Sequence, residues 1–258
     1  MFLRRLNKHI SEQNWFAVWL DLLIVFLAVF VGLQADNWNQ DRVAESNAKI
    51  YYARLIEDLR AEEITRLSRI AYYQQALRHG ESALQALNQS EIKDNEQLLI
   101  DLYQATQLWN YAPQRATYDE LLTIGIANAI PDATIRGRLA NYYIGLTNSA
   151  EIQQEKTPYR QNLRRHMPHD VQRMLRDQCG DIFESREDGV VLISLPTHCD
   201  LGLEEIYAES AVRETARYED LIADLTHRLG DLENKILNLG NYIAPTQQIM
   251  AQLAKQME

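Results

Sequence analysis

Hydrophobic residues are distributed unevenly along this chain. Their longest unbroken run, Trp15 to Leu33 (WFAVWLDLLIVFLAVFVGL), holds a single charge and lies near the N-terminus. As a helix rising about 1.5 Å per residue it measures about 28 Å, close to the hydrocarbon thickness of a bilayer, so a transmembrane helix is predicted over 15–34. No second run of this kind follows. Downstream, apolar residues recur at helical spacing. Ile50, Tyr51, Leu55, Ile56, Leu59, Ile64, Leu67, Ile70, Tyr73 and Leu77 keep one face apolar with no breaker before Gly80, which predicts a long helix continuing straight out of the membrane. A second helix is expected from Asn95 to about Trp109, ahead of Pro113.

Thr117 followed by Glu120 predicts a capping box at a helix start, with Gly125 placed to end that helix. Asp132 is expected to cap a helix that buries Ile135, Leu139, Tyr142 or Tyr143, and Leu146, and runs to about Thr157. The segment from Pro158 to Pro168 is basic and less periodic. A short helix is predicted over about His169 to Gln178, and Gly189 to Leu195 is the one β-branched run short enough for a strand. Near the C-terminus Leu225, Leu229, Leu232, Ile236, Leu239 and Ile243 alternate spacings of four and three, the rhythm of a coiled-coil seam. Its expected partner is the long N-terminal helix, packed antiparallel, although self-association would use the same stripe. The fold class expected is mainly α: one N-terminal transmembrane helix, then an elongated helical bundle with long antiparallel helices and a small loop or hairpin insertion.

Charge orients the span. Arg4, Arg5 and Lys8 precede it, whereas Asp36, Asp41 and Glu45 follow against Arg42, so the positive-inside rule predicts a cytoplasmic segment over 1–14 and an extracytoplasmic, periplasmic domain over 35–258. A cleaved signal peptide ending at Leu33-Gln34-Ala35 is the rival reading, against which stand the length of the apolar run and its embedded acid. A formal charge of −10 argues against nucleic acid as a partner. The two cysteines, Cys179 and Cys199, could close a loop of about twenty residues in an oxidising compartment, contributing around 3 kcal/mol on the chain-entropy model; two buried thiols are the alternative.

The residues Asp21, Gly32 to Gln34 and Asn37 to Asn39, then Thr117, Tyr118, Glu120, Leu121, Gly125, Tyr142 and Tyr143, form two patches. In these the chain resembles a bacterial family of single-pass membrane proteins defined only by a domain of unknown function. The resemblance implies inner-membrane topology and helical class, and no reaction. The run around Asp21 is also similar to the single spans of the ExbD/TolR and MotB components of proton-driven motors, without their soluble domains.

Asp21 is the leading candidate for a functional residue, because a carboxylate in hydrocarbon is costly unless paired, hydrated or protonated. It would serve as an intramembrane contact, as part of an ion path, or simply as an interfacial acid. Gln34, Asn37, Trp38 and Asn39 form a candidate interface motif at the membrane exit, whose chemistry also suits the headgroup region. Arg160, Arg164, Arg165 and Arg173 are expected as a solvated basic face rather than an anion site. His166, His169, His198 and Cys199 lack the spacing of a metal site. No nucleophile elbow, Walker loop, dinucleotide glycine motif or zincin motif occurs. The function expected is therefore a non-enzymatic, cofactor-free, membrane-anchored interaction or scaffold protein of the bacterial envelope. Its partners would be the lipid bilayer and either another protein or further copies of itself. The alternative is a sensory or ion-coupled subunit using Asp21 with a multi-span partner.

Overall fold

A computed structural model of the chain describes residues 15–257 and is mainly helical. The flank carrying Arg4, Arg5 and Lys8 lies outside the described residues. Helix α1, Trp15–Leu87, is one continuous helix of 73 residues, about 110 Å long at 1.5 Å per residue. It is long and apolar enough at its N-terminal end to cross a membrane. From Trp19 to Asn47 none of its described side chains is buried; burial begins at Ala48.

The remaining elements pack along the C-terminal part of α1. They are α2 (Asn95–Gln104), α3 (Ala116–Ile124), α4 (Ile126–Ala129), α5 (Ala133–Gln154), α6 (Tyr159–His166) and α7 (His169–Gln178), then strands β1 (Ile182–Ser185) and β2 (Val191–Ser194), and finally α8 (Glu205–Thr215), α9 (Leu221–Gly240) and α10 (Ile243–Lys255). The strands form an antiparallel hairpin pairing Ile182 with Ser194 and Ser185 with Val191, closed by a turn in which Gly189 takes a positive φ of 80°.

The buried stripe of α1 is a heptad seam: Ala48, Tyr52, Leu55, Leu59, Glu62, Arg66, Arg69, Tyr73, Ala76, Gly80 and Ala83 alternate steps of four and three. This corrects the apolar face expected from the sequence. Leu67 and Ile50 are exposed, and three charged side chains occupy the seam where that face was assigned to Ile64, Leu67 and Ile70. The buried stripe on α9 is Leu221, Leu225, Arg228, Leu232, Lys235 and Leu239, so Arg228 and Lys235 join the predicted seam, while Leu229 and Ile236 pack partly buried at its edge against the same cores. Helices α9 and α10 both run antiparallel to α1. Gly80 lies against Leu225 and Leu229, Glu63 accepts Gln247 Nε2 at 2.5 Å, and Lys49 Nζ reaches the Met257 carbonyl at 3.3 Å. A Cβ on Gly80 would stand 2.5 Å from Leu229 Cδ2, so glycine there allows α9 to close on α1. Pro245 sits in the first turn of α10, where its missing amide breaks no helical bond, and the chain restarts there rather than kinking.

Apolar cores lie in series along α1. The N-terminal core joins Tyr52, Leu55 and Leu59 to Leu121, Ile130, Leu139, Tyr143, Leu146 and Leu253. A middle core joins Tyr72, Tyr73 and Ala76 to Leu195, Leu232 and Leu239. The far core gathers Leu98, Leu99, Leu102, Tyr159, Leu163, Val171, Leu175 and Leu225.

Local details differ from sequence expectation for identifiable reasons. Asp132 caps α5 through the amides of Thr134 and Ile135, and Gly125, at φ 90°, ends α3. The Thr117–Glu120 capping box does not form. Instead Asp58 on α1 accepts the Thr117 amide at 2.8 Å, while Glu120 is taken by Arg54 and Tyr51. Helix α5 stops at Gln154, where Lys235 Nζ binds the Ile152 and Glu155 carbonyls. The basic segment after Pro158 is helical, as α6.

Candidate functional site

Asp21 lies on α1, but its side chain falls outside the described residues. Gln34, Asn37, Trp38 and Asn39 are all exposed. The first three share a helix face by their spacing of three and four, and the Arg42 guanidinium lies over Trp38, 5.7 Å from its ring centre. Cys179 and Cys199 are joined in a disulfide with Cα atoms 5.5 Å apart. It closes the base of the β1–β2 loop, and Cys179 is fully buried in the far core. Among the described residues no three His, Cys, Asp or Glu side chains cluster as metal ligands. His166 instead stacks on Tyr218 and bonds the Asn162 carbonyl at 2.8 Å.

The chemistry that sequence reasoning missed lies in the charged part of the seam. Glu62 and Arg66, one helical turn apart, form a fully buried ion pair at 2.6 Å. Tyr111 donates to Glu62 and accepts from Arg66 at 2.6 Å, and the Gln114 amide donates to Glu62 at 2.9 Å. Arg69 binds the Trp109 and Asn110 carbonyls while its guanidinium lies over Trp109. From α9, Arg228 binds the Ala105 carbonyl at 3.0 Å and the Gln107 carbonyl at 2.7 Å, and it shares Asp231 with Lys235. These side chains clasp residues 105–114 by their backbone. The carbonyls so captured explain why α2 ends at Gln104 rather than near Trp109. Burial lowers the pKa of Arg69, Arg228 and Lys235 and raises that of Tyr111, beside Glu62. The signal was present in the sequence: extended through 62, 66 and 69, the four-three rhythm meets charge, which is the mark of a seam carrying a buried network.

Two of the clefts among the described residues gather charged side chains. In the first, about 520 Å³, His79 Nδ1 meets Asp101 Oδ1 at 2.7 Å, and Gln97 Nε2 also donates to that carboxylate at 2.9 Å. Asp101 is buried and His79 half-buried, an arrangement that fixes the imidazole and leaves Nε2 as its remaining hydrogen-bonding atom. Gln75, Arg78, Ser82 and Thr197 line the same cleft.

The second, about 310 Å³, is lined by Leu108, Asn110, Lys156, Thr157, Arg160, Gln161 and Arg164. It corrects the expected solvated basic face, because Arg165 and Arg173 are exposed but Arg160 and Arg164 turn inward and are half-buried. Arg160 binds the Thr106 carbonyl at 2.7 Å; Arg164 binds Thr106 Oγ1 at 3.0 Å and lies over Tyr103. Burial, reinforced by Arg164, pushes the Arg160 guanidinium down to about 10, and burial lowers Arg164 as well. Asp181 is held by Tyr72 at 3.0 Å, and burial raises its pKa against the opposing pull of Tyr72, Arg160 and Arg164.

No family model, curated protein or solved structure matches this chain.

Proposed function

We propose that this chain is a single-pass protein of the bacterial inner membrane, of the domain-of-unknown-function type it resembles, that holds a periplasmic helical domain away from the bilayer as a non-enzymatic interaction or scaffold protein. The reading assigns 1–14 to the cytoplasm, 15–34 to the span and 35–258 to the periplasm. One observation carries it: α1 is apolar and uncovered from Leu22 to Leu33, and the same unbroken helix then enters the folded domain at Ala48. An apolar surface of that extent needs a nonaqueous surrounding or a partner, and a continuous helix places the domain at a defined height above it. The disulfide fits the oxidising side of the membrane.

The test uses the pairing of both native cysteines. With Glu91→Cys as the one free thiol on an exposed turn, a membrane-impermeant maleimide should label the protein in cells whose outer membrane alone has been opened. The protein should stay in the membrane fraction after alkaline carbonate. Labelling only after lysis, or release by carbonate, would overturn the reading. Cross-linking and pull-down from native membranes then distinguishes a scaffold from an ion-coupled subunit. The same partners should be recovered with wild type and Asp21→Asn; loss of a multi-span partner with the variant would favour the ion-coupled role.

A further inference from the structure

We propose that the cleft between α6 and the clasped 105–114 segment is a binding site for a small soluble phosphate-type dianion, held by Arg160 and Arg164 with Lys156 at its mouth.

Four observations lead there. The two guanidiniums stand on successive turns of α6 beside one cavity, although like charges at this spacing oppose each other. Among the described residues neither makes an ion pair: their partners are a carbonyl, a hydroxyl and the Gln107 amide oxygen, all neutral. Arg164 Nε is buried with no hydrogen-bond partner, and a buried guanidinium donor left unpaired is costly. The nearby carboxylate, Asp181, accepts from Tyr72 and forms no salt bridge with either arginine among the described residues, although both pull its pKa down through space. The pocket is therefore cationic within a chain of net charge −10, and no carboxylate lines it among the described residues.

Ligand chemistry follows from the lining. Two planar forks and one ammonium favour a compact oxyanion carrying two charges over a single carboxylate, which would leave positive charge unmatched. The volume is at the lower end of ligand cavities and leaves room for a small organic group esterified to the phosphate. Thr157, Gln161 and Asn110 supply polar contacts for that group. A lipid headgroup is a poor source. The pocket lies at the level of Arg69 on α1, about 50 Å beyond Gln34 at 1.5 Å per residue.

The experiment titrates full-length protein in detergent with inorganic phosphate, with glycerol 3-phosphate and with vesicles containing anionic lipid, at constant ionic strength. Calorimetry and the thermal midpoint provide the readouts. Saturable binding of both soluble phosphates is expected, weakened tenfold or more by Arg160→Gln or Arg164→Gln and unchanged by Arg173→Gln, an exposed arginine on α7. Because both pocket arginines also hold the 105–114 segment, Lys156→Glu provides a second variant. Lys156 is exposed and lines the cleft, so a carboxylate there should leave the fold intact and weaken phosphate tenfold or more. No binding beyond that of chloride overturns the proposal, as does equal loss with Arg173→Gln or undiminished affinity in Lys156→Glu. Binding to vesicles alone overturns the soluble ligand.

Discussion

Two stretches of α1 make opposite use of the same helix. From Leu22 to Leu33 it is apolar around its whole circumference and buries no side chain among the described residues, whereas from Ala48 to Ala83 it buries one stripe and places Glu62, Arg66 and Arg69 in the middle of it. The difference shows that average hydrophobicity and burial are separate properties of a helix. A helix greasy on every side has no direction in which to pack and calls for a surrounding medium. A seam needs only the right spacing, and it can tolerate charge where every charge finds a partner.

The largest expected effect breaks the first stretch. Val25→Lys with Val29→Lys should abolish membrane retention, at about 2.5–3.5 kcal/mol per lysine near a helix centre, and leave the thermal midpoint of the domain unmoved. Retention in the carbonate pellet would mean that the apolar surface is covered by protein. Next, Glu62→Ala should cost about 3–5 kcal/mol in denaturant unfolding, since it strands buried Arg66, Tyr111 and the Gln114 amide. Glu45→Ala, on the exposed stretch, should stay within about 0.5 kcal/mol. Similar losses for the two would refute the contrast.

The two glycines of α1 sharpen it further. Gly80→Val should destabilise by about 1–3 kcal/mol through overpacking against Leu229 and Ala105, while Gly32→Val, with nothing within 4 Å, should be tolerated.

The smallest effect concerns Asp181, which Tyr72 of α1 holds in place. Burial raises its folded pKa, so the folded state keeps the proton longer than the unfolded chain, and stability falls as pH rises above the ordinary carboxylate value. Asp181→Asn removes that titration. Its thermal midpoint relative to wild type should be level in acid and rise with pH; a constant offset would assign the effect to packing alone.

Much of the fold was legible in the sequence because it rests on local signals. Asp132 and Gly125 mark ends by chemistry that acts within a few residues, and the helix over 169–178 matches its predicted bounds. What was hidden depends on residues distant in the chain. Thr117 and Glu120 would cap one another in isolation, but Asp58 and Arg54, about sixty residues earlier, take those roles. Likewise α2 stops because Arg69 and Arg228 capture the carbonyls beyond it. The arginine cleft was missed for a related reason: a periodicity search reads arginine as a surface residue, and only the packing of α6 against 105–114 turns Arg160 and Arg164 inward.

The stretch of α1 from Ala35 to Asn47, which has no buried side chain among the described residues, also acts as a shaft with a fixed phase. One residue inserted there would lift the domain by about 1.5 Å and turn it by about 100°, whereas seven would raise it by about 10 Å and return it almost to its original heading. Height and azimuth can thus be changed separately, and on the proposed membrane-anchored reading a partner in the bilayer would sense which of the two governs its contact.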